Sequence, residues 1–254
     1  MPEITIDVAD KIATVTLDIP PVNSLKLIIY QKITEVFEDI SGRDDINCVI
    51  FTAAGQRAFC AGLDLNEFLA STADEDPARA LVVRTCFKAV RTCSVPVVAA
   101  INGPALGAGA VLAAVSDIRI CSEKASFAMP EINVGRCGGA SHMGRLISPG
   151  MLRLMYFTGE PISAWEAFRI GLVEQVVPPK RLIPAAREIA EVIAKKSPIG
   201  LRMAKQALNE VEFMQVESGY ELEQSYSTRL MTTADAREAI HAIVEKRSPV
   251  FTGR

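Results

Sequence analysis

The chain is poor in residues that do polar chemistry at neutral pH: among its 254 residues are two histidines and one tryptophan. Its six cysteines, at positions 48, 60, 86, 93, 121 and 137, fall in no C-x-x-C or zinc-finger spacing. That argues against a metal site and for reduced thiols in a cytoplasmic protein. No basic cluster is present and the formal net charge is −3, so nucleic acid is not expected as the main ligand. The first residues, MPEITIDVADK, are acidic and alternating, unlike a secretory leader. The longest apolar stretch, VPVVAAINGPALGAGAVLAAV, is cut by Asn102, Gly103 and Pro104. It suits a turn better than a membrane span. There is no G-x-x-x-x-G-K-[ST] phosphate loop, low-complexity tract, Gly/Ser linker or internal sequence repeat.

What is present is core. Hydrophobic residues make up 49% and charged residues 22%, enough for one large domain or a domain with an appendage. ITIDVAD and KIATVTLD alternate at period two about a turn near Asp10–Lys11 and predict a β-hairpin. Leu25, Ile28, Ile29, Ile33, Val36, Phe37 and Ile40 fall on one helical face. NCVIFTA, VPVVAAI and SDIRICS read as buried strands, because their apolar runs are short and continuous. SAWE, at 163–166, reads as a capping box with Gly171 as the stop, and LVEQVV as a short strand. Amphipathic helices are expected at 181–195, 199–211, 215–230 and 234–246. This order implies an α/β core with largely parallel pairing, drawn here as residues 1–195 followed by a helical region over 196–254.

Two segments, QRAFCAGLDL (56–65) and INGPALGAGAVL (101–112), each lead from a buried strand into a helix. Such turns expose backbone N–H groups at a helix start, and two of them converging would make a hole for a developing oxyanion. Each segment alone is read as permitting tight strand–helix packing. A dinucleotide fingerprint does not fit, since its third glycine and later acidic residue are missing. A third stretch, SFAMPEINVG (126–135), sets a lone carboxylate, Glu131, after an apolar run. From the residues alone it could be a solvated loop charge, half of a salt bridge, or a base in a dry pocket.

Taken in order, these segments resemble the enoyl-CoA hydratase/isomerase, or crotonase, superfamily. AFCAGLDL is similar to its AF-x-AG-x-DL signature, AINGPALGAG to A-x-NG-x-ALG-G, and SFAMPEINVG to F-x-x-PE-x-x-x-G. FTGEPISAWEAFRIGLVEQVVP and the ending EKRSPVFTGR also resemble family stretches. The resemblance implies a spiral of ββα units with a C-terminal helical region used in trimer formation, as a homotrimer or a hexamer. It implies an acyl-coenzyme A thioester as substrate, with no cofactor besides the coenzyme A that the substrate carries.

The resemblance also implies site residues. The amides of Leu63 and Ala108 would form the oxyanion hole, flanked by Ala61, Gly62, Asp64 and Gly107. The family usually has glycine at the position of Ala108. Its hydratases carry two glutamates; here the first position is Val111 and the second is Glu131. One carboxylate suits isomerisation of a 3-enoyl to a 2-enoyl thioester, in which a single base moves a proton from C2 to C4. The alternatives are a hydratase with an altered water site, a related hydrolase using His142, and a silent acyl-CoA-binding member. His142, beside Gly139, is read as a helix-start residue bonded to backbone, with the hydrolase role held open. Asp64 is expected to cap a helix and Glu67 to be solvated. Cys60 and Cys137 are expected to pack near the pocket. Arg57, Lys246 and Arg247 are candidates for the coenzyme A phosphates, and Lys246 and Phe251 are candidates to reach a neighbouring subunit's site. Residues 66–92 are expected to line the acyl end.

Overall fold

The computed structural model describes residues 3–254. A six-stranded sheet forms its centre, built from β1 (Ile4–Ala9), β2 (Ile12–Leu17), β4 (Cys48–Ala53), β6 (Val97–Ile101), β8 (Ile118–Ser122) and β11 (Gln175–Val177), in that spatial order. Only β1 runs antiparallel. The hairpin turns where expected, with Asp10 and Lys11 at φ of 55° and 62°. Period-two alternation divides the buried strands between two cores. Cys48, Ile50, Val98, Ala100 and Ile120 face α8 (Leu182–Ala194), which meets them with a row of alanines. Val49, Phe51, Val97, Ala99 and Ile101 face the larger core on the other side.

That larger core is a coil. After each central strand the chain makes a strand of two or three residues and then turns into helix. β2 is followed by β3 (Ser24–Leu25) and α1 (Leu27–Gly42). β4 is followed by β5 (Gly62–Leu63), α2 (Leu65–Leu69) and α3 (Asp76–Arg91). β6 leads to β7 (Ala105–Leu106) and α4 (Ala108–Val115); β8 leads to β9 (Ser126–Ala128) and a short 3-10 turn, Pro130–Val134. The short strands join one coil to the next: β3 pairs with β5, Cys60 bridges to Ala105, and β7 pairs with β9. Buried Asn23 reinforces this by donating to the carbonyls of Ala54 and Ala58, and Asn102 does the same to Ala53 and Gly55. The architecture is the expected spiral of ββα units.

The chain then runs through α5 (Ala140–Met143), α6 (Pro149–Thr158), β10 (Ile162–Ser163) and α7 (Ala164–Arg169) to β11 and α8. It ends in α9 (Pro198–Val211), α10 (Val216–Leu230) and α11 (Ala234–Val244). The late helices lie within two residues of their expected bounds. At α7 only half of the capping box forms. The Glu166 amide donates to the Ser163 hydroxyl, but the Glu166 carboxylate pairs with Arg169 instead of reaching back. On α1, Ile28 is 50% exposed, outside the apolar face assigned to it, while Tyr30 is buried in that face. No helix among the described residues is long and apolar enough to cross a membrane.

Phe51 joins two neighbours in the larger core, edge-on to Phe37 at 5.3 Å and to Phe59 at 5.7 Å. It is fully buried. Phe51→Ala is expected to remove about 3–5 kcal/mol of stability, measured as a fall in the urea midpoint.

Candidate active site

Three successive turns of the coil end at the same place. The helix starts after β5 and β7, and the 3-10 turn after β9, open onto one cavity of about 800 Å³ lined by Leu63, Ala108 and Glu131 among others. Two glycines make the approach. Gly62 has φ of 86°, and a Cβ there would stand 2.7 Å from the Leu106 carbonyl oxygen and 3.4 Å from the Ala108 nitrogen. Gly107 has φ of 53°, and a Cβ there would stand 3.0 Å from Glu131 Oε1. Both backbones favour glycine, and neither neighbour leaves comfortable room for a side chain. The first backbone bond within α4 runs from the Val111 N–H to the Gly107 carbonyl at 3.0 Å. The amides of Ala108, Gly109 and Ala110 therefore have no acceptor within the helix.

Glu131 sits on the 3-10 turn with its carboxylate against Gly107. Its Oε2 is buried and makes no hydrogen bond. Burial raises its pKa above the ordinary glutamate value. The other two carboxylates lining the cavity are committed elsewhere. Asp64 caps α2, accepting from the Glu67 amide at 2.9 Å and the Ser24 hydroxyl at 3.2 Å. The Glu67 amide bond is the main cause of its lowered pKa. Asp76 pairs with Arg136 at 2.7 Å. Glu131 is the carboxylate left free to exchange a proton with whatever fills the cavity.

Val111, on α4, also faces the cavity. It is 1% exposed and lies against Gly139. Ala61 and Gly139 line the cavity as well. So does His142, whose ring stands edge-on to Phe87 at 5.8 Å. Its side chain makes no backbone hydrogen bond among the described residues, contrary to the expectation of a bonded helix-start residue. Burial first, then the Arg145 and Arg91 guanidiniums, push its pKa down, which favours the neutral imidazole.

Other expectations change. Glu67 is half-buried rather than solvated. It accepts from the Leu27 amide at 2.8 Å and pairs with Arg79 at 3.1 Å, joining α1, α2 and α3. Cys60 is packed as expected, its thiol pushed up to about 12 by burial. Cys137 is exposed at the cavity rim instead of packed. Arg57 is exposed and is not among the cavity-lining residues. Lys246 and Phe251 do not line the cavity of their own chain; the tail beyond them is pinned by Asp235, which accepts from the Thr252 and Gly253 amides.

Several lining residues were not singled out in the sequence. Residues 66–92 contribute Phe68, Arg79, Val83, Arg84 and Phe87. The i, i+3, i+4 spacing of Val83, Cys86, Phe87 and Val90 is the signal that could have placed α3. Tyr156 fixes the loop after Glu131, accepting from the Gly138 amide at 2.5 Å and donating to its carbonyl at 3.2 Å. Arg136 ties the same loop to Asp76 and stacks over Phe68 at 5.0 Å. Among the described residues no three His, Cys, Asp or Glu side chains gather as a metal site.

Comparison with known proteins supplies the family. The family model described as enoyl-CoA hydratase/isomerase matches residues 7–254. The chain belongs to the enoyl-CoA hydratase/isomerase family. It is 34% identical to a short-chain-enoyl-CoA hydratase of Clostridium acetobutylicum, covering 93% of this chain and 92% of that one. It is 36% identical to a Rhodococcus jostii protein named (7aS)-7a-methyl-1,5-dioxo-2,3,5,6,7,7a-hexahydro-1H-indene-carboxyl-CoA hydrolase, covering 94% and 93%. The crystal structure of enoyl-CoA hydratase from Bacillus anthracis superimposes with a TM-score of 0.96 at 34% identity over all of both chains.

The raised pKa of Glu131 has a consequence for stability in this family member. The folded chain holds the Glu131 proton more tightly than the unfolded chain. Its charge therefore weakens the fold above the folded pKa, and the penalty fades as pH falls through that value towards the ordinary one. Glu131→Gln is expected to raise the urea midpoint at neutral pH, with the gain shrinking towards about pH 4.

Proposed function

We propose that the protein is an enoyl-CoA isomerase that converts a 3-enoyl thioester into its 2-enoyl isomer. The observation that carries this reading is one carboxylate with a buried, unbonded oxygen, Glu131 Oε2, beside the start of α4, with valine at position 111. The Leu63 and Ala108 amides donate to the thioester oxygen. Glu131 removes a proton from C2, and the electron pair delocalises over the thioester oxygen and the C3–C4 double bond. Glu131 then returns the proton to C4, leaving the double bond between C2 and C3. One oxyanion donor is worth about 3–4 kcal/mol of barrier, and the general base about 10²–10⁴-fold in rate. An isomerase needs no stored water, which matches a cavity wall of hydrocarbon at Val111.

A second reading is a hydrolase in which His142 assists an incoming water. It is favoured by a neutral imidazole on the cavity wall and by the hydrolase name of the Rhodococcus jostii relative. The two separate by product mass. Isomerisation of a 3-enoyl thioester leaves mass unchanged and raises the conjugated-thioester absorbance, whereas a hydrolase or hydratase adds one water. Glu131→Gln is expected to lower isomerase turnover by about 10²-fold or more while the thioester still binds. Full turnover in that variant, or binding with no reaction in the parent, refutes the proposal.

We also propose that the chain works as a homotrimer. Supporting this, Leu208, Phe213, Met231, Ile240, Ile243 and Val244 are large, apolar and exposed on or beside the C-terminal helices. Light scattering is expected to return three times the chain mass or a multiple of it; a monomer refutes this part.

A further inference from the structure

Two polar side chains on one wall of the cavity make no hydrogen bond among the described residues. Tyr30, on α1, is 2% exposed and lines the cavity, yet its hydroxyl makes no hydrogen bond among the described residues. The hydroxyl is therefore available to a group that fills the cavity. His142, on α5, lines the same cavity, and its ring nitrogens are likewise without a hydrogen bond among the described residues. Phe87 connects the two, edge-on to Tyr30 at 6.2 Å and to His142 at 5.8 Å. The hydroxyl and the imidazole thus belong to a single aromatic wall.

The isomerase step needs neither group. An unsubstituted hydrocarbon chain against this wall would strip both of water and give nothing back. Sites built to hydrogen-bond a substrate oxygen discriminate strongly against the analogue that lacks it, because their own polar groups are then left unpaired. We propose that the acyl group carries a neutral oxygen function, a ketone or a hydroxyl, beyond the reacting carbons, and that Tyr30 and His142 bind it. A neutral phenol donates to either; a neutral imidazole donates from one nitrogen and accepts at the other. A carboxylate on the acyl group would be drawn to Arg84, which lines the same cavity, rather than to these two neutral groups. This inference rests on the cavity being an acyl-CoA site and is independent of the isomerase step.

The test uses the full chain and saturated acyl-CoA thioesters, which cannot react. Calorimetry compares a hydrocarbon chain with chains of matched length bearing a ketone, a hydroxyl or a carboxylate at successive positions. At the best position the ketone or hydroxyl is expected to bind roughly tenfold or more tightly than the hydrocarbon. Tyr30→Phe and His142→Leu are each expected to narrow that ratio to roughly threefold or less, with circular dichroism confirming that both variants fold. Equal affinity along the series, or a ratio untouched by both variants, overturns this inference and leaves the acyl-CoA site standing. Tightest binding of a carboxylate, abolished by Arg84→Gln, overturns it in favour of recognition by Arg84. Binding of none of the thioesters overturns the acyl-CoA reading and this inference together.

Discussion

Everything at the site depends on two backbones that touch where side chains would not fit. Gly62 lies close enough to Leu106 that a Cβ would approach its carbonyl to 2.7 Å, and Gly107 receives the Glu131 carboxylate where its own Cβ would be. Main-chain donors held this way have no rotamers to lose and nothing to reorganise as charge develops. They are also held from several sides. The β3–β5 and β7–β9 pairs, the Cys60–Ala105 bridge and the side chains of Asn23 and Asn102 fix each coil against the next. Precision at the site is thus a property of the spiral. Leu63, Ala108 and Glu131 occupy the same place in three consecutive coils.

Two opposing effects act on Glu131. A helix start favours a negative charge near it, and α4 begins one residue beyond Gly107. Burial disfavours that charge, and the net direction of the pKa is upward, so burial is the larger influence. This is useful for a proton carrier. A carboxylate held down by a guanidinium or by several amides gives its proton up too readily to return it. The surrounding acids show the contrast: Asp64 is spent on a helix cap, and Asp76 and Glu67 on arginines.

Legibility in the sequence followed the length of the element. β4, β6 and β8 were readable because continuous apolar runs mark strands covered on both faces, and α8 to α11 because their periodicity persists for three or more turns. The short strands β3, β5, β7, β9 and β10 have two or three residues, too few for any period. Their pairing is imposed by neighbouring coils. That is why the chain shows no sequence repeat although its structure repeats. Glu131 could be picked out from its position after an apolar run, but its isolation could not, since that depends on where Asp64 and Asp76 spend their charges. Tyr30 was hidden because an aromatic on the buried face of α1 reads as core, and nothing local reveals that its hydroxyl lacks a partner. Glu67 read as solvated because its hydrogen-bond donors, the Leu27 amide and Arg79, come from other helices.

The valine at position 111 bears on the reaction through the space it fills as well as through the carboxylate it replaces. Its side chain is 1% exposed and presses on Gly139, where a Cβ would lie 2.5 Å from Val111 Cγ2. A water held for addition needs two to four polar partners. On the cavity wall at this position it would meet a branched hydrocarbon. His142 is the remaining candidate to hold such a water, and its ring stands edge-on to Phe87, which in turn stands edge-on to Tyr30. A reaction that moves a proton within the substrate asks only for the oxyanion donors and one poised acid. A reaction that imports water asks for a second polar holder at the place where this chain put valine, which is why the isomerase reading is preferred even among relatives named as hydratases.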